Sequence, residues 1–239
     1  MLDSGPGLYC LVHGSTQNAT GWNRLVPELE KFGHEAVRMN LPDNEPDAGA
    51  TRYAEVIADC IPPHRSDAIV VAHSASGLFL PFVLNYREVG RLVFLAAVVP
   101  KPGVSLLDQL RAEPDMLNPK WLGKDPTKDP QIARRFLFHD CPPEVTEWAL
   151  TTLRLTYARG AMSEIYPGPG WPDVPMSYIV CADDRTVQPG WSRRIARERL
   201  GVEAVELPGG HCPHVSRPGE LARVLDQLGR GGGGLGSRI

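Results

Sequence analysis

A chain of 239 residues, 42% of them hydrophobic, has the size of one large α/β domain and enough apolar content for a substantial core. Its formal net charge of −3 excludes the basic excess that holds proteins to nucleic acid or to an anionic membrane surface. Five scattered cysteines without a C-x-x-C speak against a disulfide framework and predict reduced thiols in a cytoplasmic protein, and no apolar run is long enough for a secretory signal or a membrane span.

In chain order, the first apolar run, about 8–13, predicts a strand that ends in His13-Gly14-Ser15. The small Gly14 lets such a turn aim a backbone N–H at a developing oxyanion. A helix-like segment at about 22–33, a strand at 35–39 and a helix at 51–62 follow. The next strand, 68–73, carries Ala68-Ile69-Val70-Val71-Ala72 and leads at once into His73-Ser74-Ala75-Ser76-Gly77. A buried strand that ends small–x–Ser–x–small and enters an amphipathic segment (Leu78, Leu80, Phe82, Val83) is the sequence form of a nucleophile elbow. The turn strains the backbone of its serine and lifts the hydroxyl clear of the sheet, so small neighbours are needed. Ala72 and Ser76 stand where glycines are usual, and over these five residues alone a plain strand-to-helix turn reads the same way.

A helix at 77–88 and a strand at 91–98 come next. From Lys101 to Trp171 there is no convincing strand, many prolines, and helical periodicity at 129–139 and 143–157. Some 70 residues are too many for an ordinary connection. They predict a helical lid over the carboxyl ends of the strands, where ligands bind in such sheets. Trp121, Phe138 and Trp148 are its candidate pocket residues. Two last strands, 176–182 and 202–207, flank a helix at 190–200. The first ends in Asp183-Asp184-Arg185, two acids that could equally cap the following helix. The second ends in Gly209-Gly210-His211-Cys212-Pro213, ahead of a helix at 217–228. The glycine-rich tail, 229–239, is expected to be disordered.

Strands alternating with helices imply parallel pairing through right-handed crossovers. The fold class expected is α/β, an open, mainly parallel six-stranded sheet with helices on both faces. Residues 1–100 and 172–228 form the core and 101–171 the inserted lid. A serine, an acid and a histidine, each directly after a strand and in that order, follow the chain order of a Ser-Asp-His triad.

With these segments in place the chain resembles the α/β-hydrolase superfamily, in the compact branch of plant-type methyl esterases, hydroxynitrile lyases and bacterial esterase relatives. The resemblance covers about 8–228 and rests on five points in register. These are Leu11-Val12-His13-Gly14 followed by Trp22, Ala72 to Gly77, His139-Asp140-Cys141-Pro142, Cys181-Ala182-Asp183-Asp184-Arg185, and Gly209 to Pro213. It implies Ser74 as nucleophile and His211 as base. It selects Asp184, the acid immediately before an arginine, as the triad acid and leaves Asp183 as a turn or capping residue. The backbone N–H groups of Ser15 and Ala75 would form the oxyanion hole. The expected function is a serine hydrolase cleaving a small to medium carboxylic ester, thioester or lactone through an acyl-enzyme.

Two alternatives stand beside it: a lyase on the same scaffold, and a ligand receptor with a vestigial triad. Hydroxynitrile lyases of this type carry a lysine after the catalytic histidine, where this chain has Cys212. His73 reads as packing. His211 and His214 lack the accompanying H-E-x-x-H or carboxylates of a metal site, and no dinucleotide or phosphate loop occurs. No metal or cofactor is therefore expected. The expected partner is a small-molecule substrate, without nucleic acid or membrane, for a monomer or homodimer.

Overall fold

The computed structural model describes residues 6–167 and 171–231. Six strands form one parallel sheet in the order β2-β1-β3-β4-β5-β6. They are β1 (Leu8–Val12), β2 (Glu35–Met39), β3 (Ile69–His73), β4 (Arg91–Leu95), β5 (Met176–Cys181) and β6 (Val205–Leu207). All six match predicted runs. The four inner strands are rich in β-branched and aromatic residues and are covered on both faces, as parallel strands between helices must be.

The period of two along each strand divides the core. Cys10, Val12, Val70, Ala72, Leu92 and Phe94 face one layer, which includes α2 (Ala50–Asp59), α3 (Leu80–Val83) and α8 (Pro189–Leu200). Tyr9, Leu11, Ile69, Val71, Val93 and Leu95 face the other, built from α1 (Val26–Glu30) and α10 (Pro218–Arg230). In α2 the buried residues Ala50, Tyr53, Ala54 and Ile57 recur at helical spacing and supply one apolar stripe. Helix α8 begins at Pro189 and is capped after Leu200 by Gly201, whose φ of 67° only glycine adopts without strain.

Several helices are shorter than their periodicity predicts. The segment expected at 22–33 is a 3-10 turn over Ala19–Arg24, capped by the Asn18 side chain, followed by α1 with Pro27 inside its first turn. The segment expected at 77–88 is a 3-10 turn over Ser74–Leu78 followed by α3, where Pro81 removes a backbone donor. Strand β4 stops at Leu95, short of the expected 98, because Ala96 turns the chain with φ 45°.

Between β4 and β5 the described residues contain α4 (Leu106–Ala112), α5 (Pro130–Phe136), α6 (Pro143–Leu150) and α7 (Arg159–Ser163). Helices α4 and α7 were not legible as such, and α6 ends well before the expected 157. The segment's only strand pairing, among the described residues, is in isolated bridges, among them Gln17 with Leu153 and Leu117 with Val187. After β6 come the short α9 (Pro213–Ser216) and the 13-residue α10. The expected tail began at 229, but α10 continues through Gly229 and Arg230. Gly229 lies against β1, where an added Cβ would meet Tyr9 Oη at 2.6 Å. The remainder of the expected tail, 232–239, lies outside the described residues. No described helix is long and apolar enough to cross a membrane.

Candidate active site

Strand order reverses at β1 and β3, so the loops leaving their carboxyl ends diverge and open a crevice between them. Ser74 stands there with φ 58°, a left-handed conformation that costs a non-glycine residue on the order of 1–3 kcal/mol. The surroundings hold it. Ser74 C=O accepts the Val98 N–H at 2.9 Å, and a Cβ on Gly77 would stand 2.0 Å from Val98 O. Glycine at 77 is therefore a requirement of close approach. At Ser76, where a glycine is usual, the hydroxyl instead donates to the His13 carbonyl and ties the elbow to the first turn. Gly14 allows that turn to come close, since a Cβ there would lie 2.9 Å from Ser74 Cβ.

Two further loops bring the acid and the imidazole. Ser74 Oγ lies 3.0 Å from His211 Nε2, and His211 Nδ1 lies 2.7 Å from Asp184 Oδ2. A carboxylate only accepts, so Nδ1 carries the proton of the neutral ring and Nε2 is left to accept from the serine. Both His211 and Asp184 are buried. The second carboxylate oxygen, Oδ1, accepts from Thr186 N–H (2.7 Å), Thr186 Oγ1 (2.9 Å) and Val187 N–H (3.1 Å). Thr186 was not singled out from sequence, although Asp-x-Thr is the spacing of a side-chain turn of this kind. Asp183 does not cap the following helix, whose N-cap is Gln188. Its carboxylate instead accepts the Gly209 N–H at 3.2 Å, because its side chain faces the neighbouring loop.

Ser15 and Ala75 line the same cavity as Ser74. Ala75 is the second residue of the 3-10 segment Ser74–Leu78, so its N–H has no partner within that segment. The chain around Ser15 is braced from outside: its carbonyl accepts Thr156 N–H at 2.7 Å and the Thr16 carbonyl accepts Arg154 N–H at 3.1 Å. His13 accepts Leu41 N–H on Nε2 at 3.0 Å and donates from Nδ1 to Gly14 O at 2.8 Å.

The cavity measures about 210 Å³ and is walled chiefly by Leu78, Phe79, Leu106, Leu110, Met116 and Val187. Of the three aromatic residues expected in it, Trp121 lines the wall. Phe138 and Trp148 do not. They pack into a separate small core with Ala133, Val145, Ala149, Cys212 and Val215, where α6 lies against both α5 and α9. Among the described residues no group of three or more His, Cys, Asp or Glu side chains could hold a metal ion.

Behind His211 lies a buried cluster. His73 donates Nε2–H to the His211 carbonyl at 2.8 Å, and its ring lies 4.5 Å from the His211 ring and 4.7 Å from that of His214. Burial lowers the pKa of His13 to about 4 and of His214 to about 3; it also pushes His73 well below the usual range, with the nearby His211 and His214 adding to the shift. These rings stay neutral in the fold, whereas in the unfolded chain they take up protons near pH 6.5. Their contribution to stability is present above that pH and is lost as pH falls toward 4. For His13 alone this amounts to about 3 kcal/mol. Melting temperature is expected to fall steadily from pH 6.5 to 4.5, and a flat profile over that window would contradict the buried neutral cluster.

Comparison with known proteins agrees with this architecture. The model of the alpha/beta hydrolase family matches residues 11–224. An alpha/beta hydrolase of Aspergillus novofumigatus is 26% identical over 90% of this chain and 93% of its own length. Methylesterase 3 of Arabidopsis thaliana is 23% identical over 91% of this chain and 94% of its own. The crystal structure of a pyrethroid hydrolase from Sphingobium faniae superposes with a TM-score of 0.76 at 21% identity, covering 96% of this chain and 99% of that one. The chain belongs to the alpha/beta hydrolase family, and its relatives include members of the plant-type methyl esterase branch read from its motifs.

Proposed function

We propose that this alpha/beta hydrolase is a serine esterase that cleaves a small to medium, uncharged carboxylic ester through an acyl-enzyme. The single observation that carries the reading is the unbroken hydrogen-bonded chain from Ser74 Oγ through His211 to Asp184. In the mechanism, Ser74 Oγ attacks the ester carbonyl while His211 Nε2 takes its proton. Asp184 holds the imidazole by Nδ1 and stabilises the imidazolium. The oxyanion is held by the N–H groups of Ser15 and Ala75, where one donor is typically worth about 10²–10³ in rate. His211 returns the proton to the leaving alkoxide, and a water then repeats the sequence on the acyl-enzyme.

Esterase and hydrolase relatives support ester chemistry over the alternatives. For a lyase, the position after His211 carries a buried Cys212 in one cluster with Val215, and among the described residues no Lys, Arg, Asp or Glu lines the cavity. A receptor with a vestigial triad predicts binding without turnover, which an assay separates at once. Residues 101–171 act as the lid in this reading, since Leu106, Leu110, Met116 and Trp121 wall the cavity from that side.

The apolar wall fixes a further expectation. Each buried methylene contributes about 0.8 kcal/mol, so kcat/KM for p-nitrophenyl esters should rise roughly three- to fourfold per added carbon until the cavity is full. Esters bearing a carboxylate or an ammonium group should be poor substrates, because the described residues of the wall offer no charged partner. A panel of esters varied in chain length and charge tests the proposal. A flat chain-length profile, or a preference for charged esters, would contradict it.

A further inference from the structure

The acid and the base stand on two different loops, one after β5 and one after β6, and catalysis depends on their mutual register. Backbone bonds stitch the loops together: Ala182 N–H to Leu207 O at 2.8 Å and Asp183 N–H to Gly209 O at 2.9 Å. A third segment grips both of them. His139, in the turn after α5, donates Nε2–H to the Asp183 carbonyl at 3.1 Å, one residue before the acid. Asp140 accepts the Gly210 N–H on Oδ2 at 2.8 Å, one residue before the base. Arg185 adds a link from the acid loop, donating Nη1–H to Arg135 O at 3.1 Å.

The two glycines ahead of His211 make this grip possible. A Cβ on Gly209 would lie 2.5 Å from Asp140 Oδ2 and 2.7 Å from Arg217 Nε. A Cβ on Gly210 would lie 2.7 Å from His139 Nε2 and 2.8 Å from Asp140 Oδ1. Asp140 Oδ1 and Arg217 Nε are buried without a hydrogen-bond partner among the described residues, the carboxylate close to both glycines and the guanidinium close to Gly209.

We propose that His139 and Asp140 are positioning residues for the Asp184–His211 pair, one dipeptide of the β4–β5 insertion setting the register between the acid loop and the base loop. The inference rests on the triad reading of the site. Neither residue lines the cavity beside Ser74. Their loss should fall on kcat and leave KM largely unchanged.

The test pairs a truncation with its conservative variant. In the folded Asp140→Ala protein, kcat should drop about 10–100-fold, the scale of a misplacement near 1 Å, with KM within about twofold of wild type. Asp140→Asn keeps an oxygen for the Gly210 N–H and should restore kcat to within about threefold. Should Asp140→Ala fail to fold, His139→Ala and His139→Gln form the equivalent pair, because the glutamine amide can still donate to Asp183 O. Wild-type kcat in the truncated protein, or an equal loss in the truncated and conservative variants, would overturn the proposal. A Ser74→Ala control in the same assay separates the two levels. Activity surviving there removes the triad reading itself, whereas activity lost there with wild-type kcat in the truncated variants overturns the positioning role alone.

Discussion

Ser74→Ala and His211→Ala should each lower esterase kcat by at least ~10⁴ while the protein remains folded. The two groups act as one unit, so the double variant should be scarcely worse than either single one. The site explains why: Ser74 Oγ has its proton acceptor at 3.0 Å, and no other imidazole faces it. His13 is committed to Gly14 O and Leu41 N–H, and His73 donates to the main chain beneath His211. Neither can take over as base. Folding should survive, since the elbow is held by Gly77, Ser76 and Val98 rather than by the Ser74 hydroxyl. A folded Ser74→Ala protein that retains more than about a tenth of wild-type kcat would contradict the assignment.

Asp184→Asn should cost about 10⁴ in kcat, with the geometry nearly intact. The reason is directional. Oδ1 accepts from three donors, so an amide at 184 must keep its oxygen there and turn its NH₂ toward His211. Nδ1 of His211 would then have to accept, the ring proton would sit on Nε2, and the base would face the serine with its lone pair gone. Asp183→Asn keeps an oxygen for the Gly209 N–H and should change kcat by less than threefold, with about 1 kcal/mol of stability at stake. Kinetics of the two variants side by side check this. An exchange of phenotypes would assign the acid role to Asp183.

What could be read in the sequence was what the backbone demands locally. A strand run followed by small–x–Ser–x–small allowed an elbow or a plain strand-to-helix turn, and an acid and a histidine after later strands, in that chain order, favoured the elbow. The parallel order followed from strands alternating with helical stretches. The direction of a side chain in the insertion could not be read. Phe138 and Trp148 are as apolar as Trp121, yet Phe138, in the turn after α5, and Trp148, on α6, join the core of Cys212 and Val215, partners that come from another part of the chain. The same holds for Asp183, where two adjacent acids look alike until the loop after β6 is folded against them. Pro27 and Pro81 were visible, but not that each would stand in the first turn of a short α-helix that follows a 3-10 turn. Ser76 departed from the usual glycine, and its use as a donor to the His13 carbonyl appears only once β1 and β3 are neighbours.

The central claim is that Ser74 is an activated nucleophile, and reaction with a fluorophosphonate tests it most directly. Such a reagent phosphonylates a serine only when a base removes its proton and an oxyanion hole receives the developing charge. Intact mass measurement should show one equivalent of phosphonate per chain, mapped by peptide mass to Ser74, absent in Ser74→Ala and strongly slowed in His211→Ala. A folded wild-type protein that takes up no label, or takes it up at another residue, would contradict the account.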